Sequence, residues 1–111
     1  MEIKRAVEAL AALGQESRLH VFRLLIKRGP GGMAAGEIAK RLHIPTNTMS
    51  AHLAVLARAG LVTSRKQGRS VIYAVDLEGT RTLLAFLVED CCQGKPAVCR
   101  PLIASALADC C

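Results

Sequence analysis

Interruptions at Gly14, at Gly29-Pro30-Gly31-Gly32, at His43-Ile44-Pro45 and at Gly60 cut the front of this 111-residue chain into short apolar-periodic segments. Only short helices fit between such breaks. Ile3, Val7, Leu10 and Ala11 recur at helical spacing from Glu2 to about Leu13, and Gly14 supplies a C-terminal glycine. Ser17 is placed to cap a second helix with apolar positions Leu19, Phe22, Leu25 and Ile26, running to Lys27-Arg28. A third helix is expected from about Ala35 to Leu42, with Ile38, Ala39 and Leu42 inward. A fourth starts at Thr46 or Asn47, where Thr, Asn and Thr after Pro45 offer cap oxygens. It carries the stripe Met49, Leu53 and Leu56 and ends at Gly60.

Two short helices joined by a tight turn, the second opening with small polar side chains, form a helix-turn-helix. Leu61 to Arg65 and Ser70 to Val75 are rich in Val, Ile, Thr and Tyr around Lys66-Gln67-Gly68-Arg69, and read as a β-hairpin. A hairpin in that place is the wing of a winged helix. A last long helix is expected from about Glu78 to Cys91, its wide apolar face of Leu83, Leu84, Leu87 and Val88 needing cover. After Gln93-Gly94-Lys95-Pro96 the chain turns back, and Pro101 to Ala108 has the composition of one more short helix. The expected fold is mainly α with a small β-hairpin, in the order α-α-α-α-β-β-α.

With one Tyr, two Phe and no Trp, the core must rest on Leu, Ile, Val and Ala, which favours helices over a large sheet. The length suits one domain per subunit. No apolar run approaches the roughly 20 residues of a membrane span, and Met1 to Arg5 is charged rather than signal-like, so a cytoplasmic protein is expected. Residues 1–75 hold twelve Lys/Arg against four acids, and residues 76–111 hold three against five, giving +8 and −2. A basic front half suits a polyanion partner, the alternative being an ordinary solvated surface. No nucleophile, base and orienting group are recognisable together, and neither a phosphate loop nor a dinucleotide fingerprint appears, so no enzyme is expected.

All five cysteines lie after residue 90: Cys91, Cys92, Cys99, Cys110 and Cys111. An odd number without an export signal argues for reduced thiols rather than a disulfide framework. Three soft ligands clustered at Cys91, Cys92 and Cys99 suit a thiophilic element.

Ser50-Ala51-His52-Leu53-x-x-Leu56-x-x-x-Gly60-Leu61-Val62, then Arg65-Lys66-Gln67-Gly68-Arg69 and Tyr73, together resemble the ArsR/SmtB family of bacterial metal-responsive repressors. Ser17-Arg18-Leu19 within Leu13 to Leu25 is similar to the family's second helix, so the resemblance spans roughly residues 5–92. It implies a homodimer, built through the first and last helices, that binds double-stranded operator DNA and leaves it when an inducer binds. In that frame Thr46, Asn47, Thr48, Ser50 and His52 match the recognition-helix region, and Gln67 and Arg69 match the wing. Hydroxyls and amides reach base edges or phosphates, and arginine enters narrow minor grooves. For His52 a packed or phosphate-facing role is the alternative.

The family's inducer sites differ between subtypes. A Cys-x-Cys pair on the third helix is absent, since Ala34 to Leu42 contains no cysteine. A zinc site on the last helix needs histidines, whereas those here are His20, His43 and His52. Glu89-Asp90-Cys91-Cys92-x-Gly94 followed by Cys99 resembles a third, arsenite-responsive subtype, which implies trivalent arsenic, As(III), held by Cys91, Cys92 and Cys99, with antimony, Sb(III), as a chemical relative. Residues 1–92 would then be the DNA-binding and dimerisation domain, and residues 93–111 an extension that completes the inducer site by looping Cys99 back. Cys110 and Cys111 are a second capture pair, a bidentate site for an organoarsenical, or tail thiols without a role. Two other stimuli use the same residues: a redox or persulfide signal linking two of the thiols, and cadmium, lead or zinc bound through added thiolates.

Overall fold

The computed structural model describes residues 1–89 and 96–107. In chain order the elements are α1 (Ile3–Leu13), α2 (Glu16–Arg28), β1 (Met33–Ala34), α3 (Ala35–Leu42), α4 (Thr46–Arg58), β2 (Val62–Gln67), β3 (Ser70–Val75), α5 (Leu77–Leu87) and α6 (Pro96–Leu107). Helices α3 and α4 form the helix-turn-helix, and β2 and β3 the wing. The architecture is the expected winged helix-turn-helix, with strand β1 added before α3.

Each helix boundary has a local cause. Arg18 on α2 donates from Nε to the carbonyl of Ala12 at 2.7 Å, closing the end of α1 with a cation where the helix dipole favours one. The cap of α2 is Gln15, whose side chain accepts from the Arg18 N–H at 2.9 Å, rather than Ser17, which lies inside the helix. His43 ends α3 in the left-handed region (φ 55°, ψ 42°), a conformation costing a non-glycine residue on the order of 1 kcal/mol. Pro45 precedes α4 as its N-cap and no side chain caps that helix, so the hydroxyls of Thr46 and Thr48 and the amide of Asn47 are not used as caps.

The sheet has the order β1-β3-β2, all antiparallel. Pairing from Val62↔Val75 to Gln67↔Ser70 leaves a two-residue turn, Gly68-Arg69, with positive φ at the glycine alone, the pattern of a type II′ hairpin. The strands therefore run closer to the tip than Arg65, their expected end. Gly32 is fixed by packing: it has φ +73°, and a Cβ there would lie 2.6 Å from the Tyr73 carbonyl oxygen. Arg28 and Arg65 bracket the same loop, donating to the carbonyls of Gly32 (3.0 Å) and Gly31 (2.8 Å).

The core gathers Val21 and Leu25 of α2, Met33 of β1, Ile38 of α3, Met49, Leu53 and Leu56 of α4, then Leu61, Val62 and Leu83. Helix α1 buries Ala6, Ala9 and Ala12 in it, with the half-buried Leu13 packed against its edge. Its large apolar residues, Ile3, Val7 and Leu10, lie outward, with Val7 58% exposed. Helix α5, in contact with α1, buries Leu83 and leaves Leu77, Leu84 and Leu87 exposed. It is capped by Asp76, whose Oδ1 accepts from the Gly79 N–H at 2.9 Å.

Two expectations about the rear of the chain need correction. The last long helix stops at Leu87 with Val88 as its C-cap, short of the expected Cys91. Glu89 and Asp90 follow, and carboxylates at a helix C-terminus oppose the dipole. The helix expected at Pro101–Ala108 instead begins at Pro96, because a proline at the first helical position gives up only an N–H without a helical partner. Cys99 accordingly lies on α6, not in a returning loop.

Candidate nucleic-acid interface and thiol cluster

The buried stripe Met49, Leu53 and Leu56 clamps one side of α4 to the core and dictates what the other side offers. Asn47, Ser50, Ala51, Ala54 and Arg58 follow a single line at 3.6-residue spacing, and all are exposed. Thr46 and Thr48 flank the line at its N-terminal end, also exposed. This surface is polar at its start, bare of bulk in the middle and cationic at its end, so a helix edge can enter a major groove. His52 sits about 140° round the helix from Asn47, at about 100° per residue. It is half-buried, on the flank that turns toward the core.

At the wing, Lys66, Gln67, Gly68 and Arg69 form an exposed tip. Arg65, immediately before Lys66, is engaged with the Gly31 carbonyl and anchors the wing to the body. Two basic side chains adjacent in sequence thus have different employment. Sequence reasoning missed Arg58, although its i, i+4, i+7 and i+11 spacing from Asn47, Ala51 and Ala54 marks the same line. It also missed the inward use of Arg65, for which the sequence carries no signal.

The end of α4 is joined directly to the start of α5. Gly60 (φ +79°) turns the chain, the Leu61 N–H returns to the Leu56 carbonyl at 3.0 Å, and the Asp76 N–H reaches the Leu61 carbonyl at 2.9 Å. Gly79 of α5 then rests against the Gly60 carbonyl so closely that any Cβ would overlap it. This backbone contact packs the first turn of α5 directly against the end of α4. On the outer surface of α5, the Arg81 guanidinium is held above its ordinary range by its hydrogen bond to Glu78 and then by that carboxylate's charge.

Among the predicted thiol ligands, Cys91, Cys92, Cys110 and Cys111 lie outside the described residues, and Cys99 is placed by its backbone on α6. Among the described residues no three His, Cys, Asp or Glu side chains come together as a metal site. The donor set at Cys91, Cys92 and Cys99 is all sulfur, which fits a soft trivalent centre and fits oxygen-seeking ions poorly.

These features define a winged helix-turn-helix regulator whose exposed helix and wing are arranged for duplex DNA. Comparison with known proteins agrees. A family described as "Helix-turn-helix domain" matches residues 13–65. The transcriptional activator HlyU of Vibrio cholerae is 32% identical over 91 residues, covering 82% of both chains. Its structure in the reduced form superposes with a TM-score of 0.61 at 31% identity, over 78% of this chain and 90% of that one. A structure described as a possible transcriptional regulator for arsenical resistance gives 0.64 at 31% identity, over 72% and 80%. A homodimeric winged helix-turn-helix DNA-binding domain from Mycobacterium bovis, a possible ArsR-family regulator, gives 0.64 at 26% identity over 78% of each. The chain belongs to the ArsR/SmtB-type family of transcriptional regulators.

Proposed function

We propose that this chain is a homodimeric, cytoplasmic repressor that binds operator DNA through α4 and the wing and leaves it when Cys91, Cys92 and Cys99 capture trivalent arsenic or antimony. The observation that carries the regulatory half is the exposed α4 line, cationic at its end, beside a free basic wing tip. The inducer half rests on the three clustered cysteines in an otherwise cysteine-free body, with the arsenical-resistance relative in support. As(III) takes three thiolates in a trigonal pyramid, a geometry with no place for harder ligands. Cys110 and Cys111 are the accessory thiols available to the same chemistry.

Dimerisation is supported by two contacting helices that each turn an apolar line to solvent, Ile3, Val7 and Leu10 on α1 and Leu77, Leu84 and Leu87 on α5. The homodimeric relative from Mycobacterium bovis argues the same way. Capture just beyond α5 would shift that helix against its partner copy, and the Gly60–Gly79 contact would carry the shift to α4. Such couplings amount to about 1–3 kcal/mol, which lowers DNA affinity by roughly 5–150-fold and lowers arsenic affinity on DNA by the same factor.

A titration in reducing buffer followed by near-ultraviolet sulfur-to-arsenic absorbance tests the inducer. Saturation at one arsenic per three thiolates, lost in Cys91→Ser, Cys92→Ser and Cys99→Ser alike, is the expected result. Absorbance unchanged by all three substitutions rejects the trio. A second reading, a thiol redox switch, draws on the relative whose structure is specified as reduced HlyU, and on the helical position of Cys99. It requires only two of the cysteines, and oxidant rather than arsenite releases DNA.

A further inference from the structure

Helix α6 stands uncovered by the rest of its own chain. Residues 100–107 are all exposed, Leu102 and Leu107 by more than half, and among the described residues α6 forms no packed face with another element. At about 100° per residue, Leu102, Ala106, Ile103 and Leu107 fall within about 140° on one side of the helix, and Cys99 is in register with them. Arg100, the helix's single charge, lies at the edge of that side, and Ser105 lies outside it. Such a helix does not hold itself in water. Twelve residues is near the lower limit for an isolated helix, and Pro101 in its interior removes a backbone hydrogen bond. Its order requires a surface to rest on.

The apolar lines left open elsewhere on the chain indicate which surface that is. Helix α1 turns Ile3, Val7 and Leu10 outward and α5 turns Leu77, Leu84 and Leu87 outward, yet α6 does not rest on them within its own chain. A second copy presents the same lines again. Those six half-exposed side chains offer roughly 300 Å² of apolar surface per copy, against about 500 Å² in a homodimer interface of ordinary size. The three large side chains of α6 supply most of the difference. Eight residues separate Leu87 from Pro96, a reach of about 30 Å when extended, and paired helices lie only about 8–10 Å apart, so α6 can cross to a partner copy.

We propose that α6 is a clasp: the side bearing Leu102, Ile103 and Leu107 packs on the α1 and α5 surface of a second copy, and the two-fold axis repeats the contact. The inference rests on the dimer reading above and adds to it a helix outside the α1/α5 pair. It also gives Cys99 a setting. Because the Cys99 position is in register with the clasping side, inducer capture and the grip on the partner draw on one side of one helix.

The test measures hydrogen exchange of the full-length chain in reducing buffer over protein concentrations that span dimer dissociation, with dimerisation followed by sedimentation equilibrium. In wild type the amides of residues 102–107 are expected to exchange at least about tenfold more slowly as dimer replaces monomer. Leu102→Asp combined with Ile103→Asp is expected to raise the dimer dissociation constant at least about tenfold with exchange in α3 and α4 unchanged, whereas Ser105→Asp, outside the clasping side, is expected to leave it at the wild-type value. A wild-type dimer whose α6 amides exchange at one rate at every concentration, a double variant that dimerises as tightly as wild type, or equal weakening by Ser105→Asp overturns the clasp and leaves the α1/α5 dimer standing. A wild-type chain that stays monomeric throughout overturns both.

Discussion

Gly79 and Arg69 show how single residues divide between close packing inside the fold and exposure at its surface. A methyl at Gly79 collides with the Gly60 carbonyl, and a backbone group cannot step aside as a flexible side chain can. Gly79→Ala is therefore expected to lower unfolding stability by about 2 kcal/mol or more, whereas Asp76→Ala, which removes only the α5 cap, costs about 1 kcal/mol. Urea denaturation monitored by circular dichroism ranks the two, and equal losses would contradict the close contact. In the wing, Arg69 is exposed and Arg65 is committed to the Gly31 carbonyl. Arg69→Ala is expected to flatten the salt dependence of DNA binding by roughly 0.9 for each subunit engaged while leaving wing amide exchange unchanged. Arg65→Ala should instead raise exchange across β2 and β3 in the free protein. A wing equally protected in both variants would deny Arg65 its anchoring role.

Helix α1 explains both what the sequence revealed and what it concealed. The breaks at Gly14, at Gly29 to Gly32, at His43 to Pro45 and at Gly60 act locally, so the number and order of the front helices were legible. Which side of α1 faces its own core was not: Ala6, Ala9 and Ala12 repeat with the same helical period as Ile3, Val7 and Leu10, and hydrophobicity favours the wrong set. The larger side chains lie outside, as expected of a surface that another chain covers. Strand β1 escaped notice because two residues carry no alternation, and its pairing with Tyr73 and Ile72 is a tertiary fact. Helix α5 ends at Leu87, just before Glu89 and Asp90 in the sequence, acidic residues that a helix C-terminus disfavours and that the apolar stripe outweighed in the sequence reading. On the exposed side of α4, Thr46, Asn47, Thr48 and Ser50 were legible from small polar types after a proline, but Arg58 needed the helix in place. Val7→Asp and Leu84→Asp are each expected to shift the protein from dimer to monomer in sedimentation and to weaken DNA binding by more than tenfold, since two half-sites are then bound separately. A dimer that persists in both variants would place the interface elsewhere.

Over the whole molecule, charge and chemistry are segregated along the chain: residues 1–75 carry +8, and the five thiols lie with the −2 of residues 76–111. Among the described residues, no helix is long and apolar enough to cross a membrane. In the proposed function the basic part meets the polyanion and the thiol part meets the inducer, with α5 between them in sequence. Capture of arsenic requires deprotonated thiols and releases protons, so the arsenite needed for half-release of DNA is expected to rise as pH falls below neutrality. A half-release concentration that is flat with pH would point away from thiolate ligation. The direct measurement of the central claim is anisotropy of the reduced protein on a labelled fragment of its own promoter, titrated with arsenite. Release at near-stoichiometric arsenite, abolished in Cys92→Ser with DNA affinity intact, is the predicted result. A complex that ignores arsenite yet dissociates under mild oxidant would contradict it and assign the thiols to redox sensing.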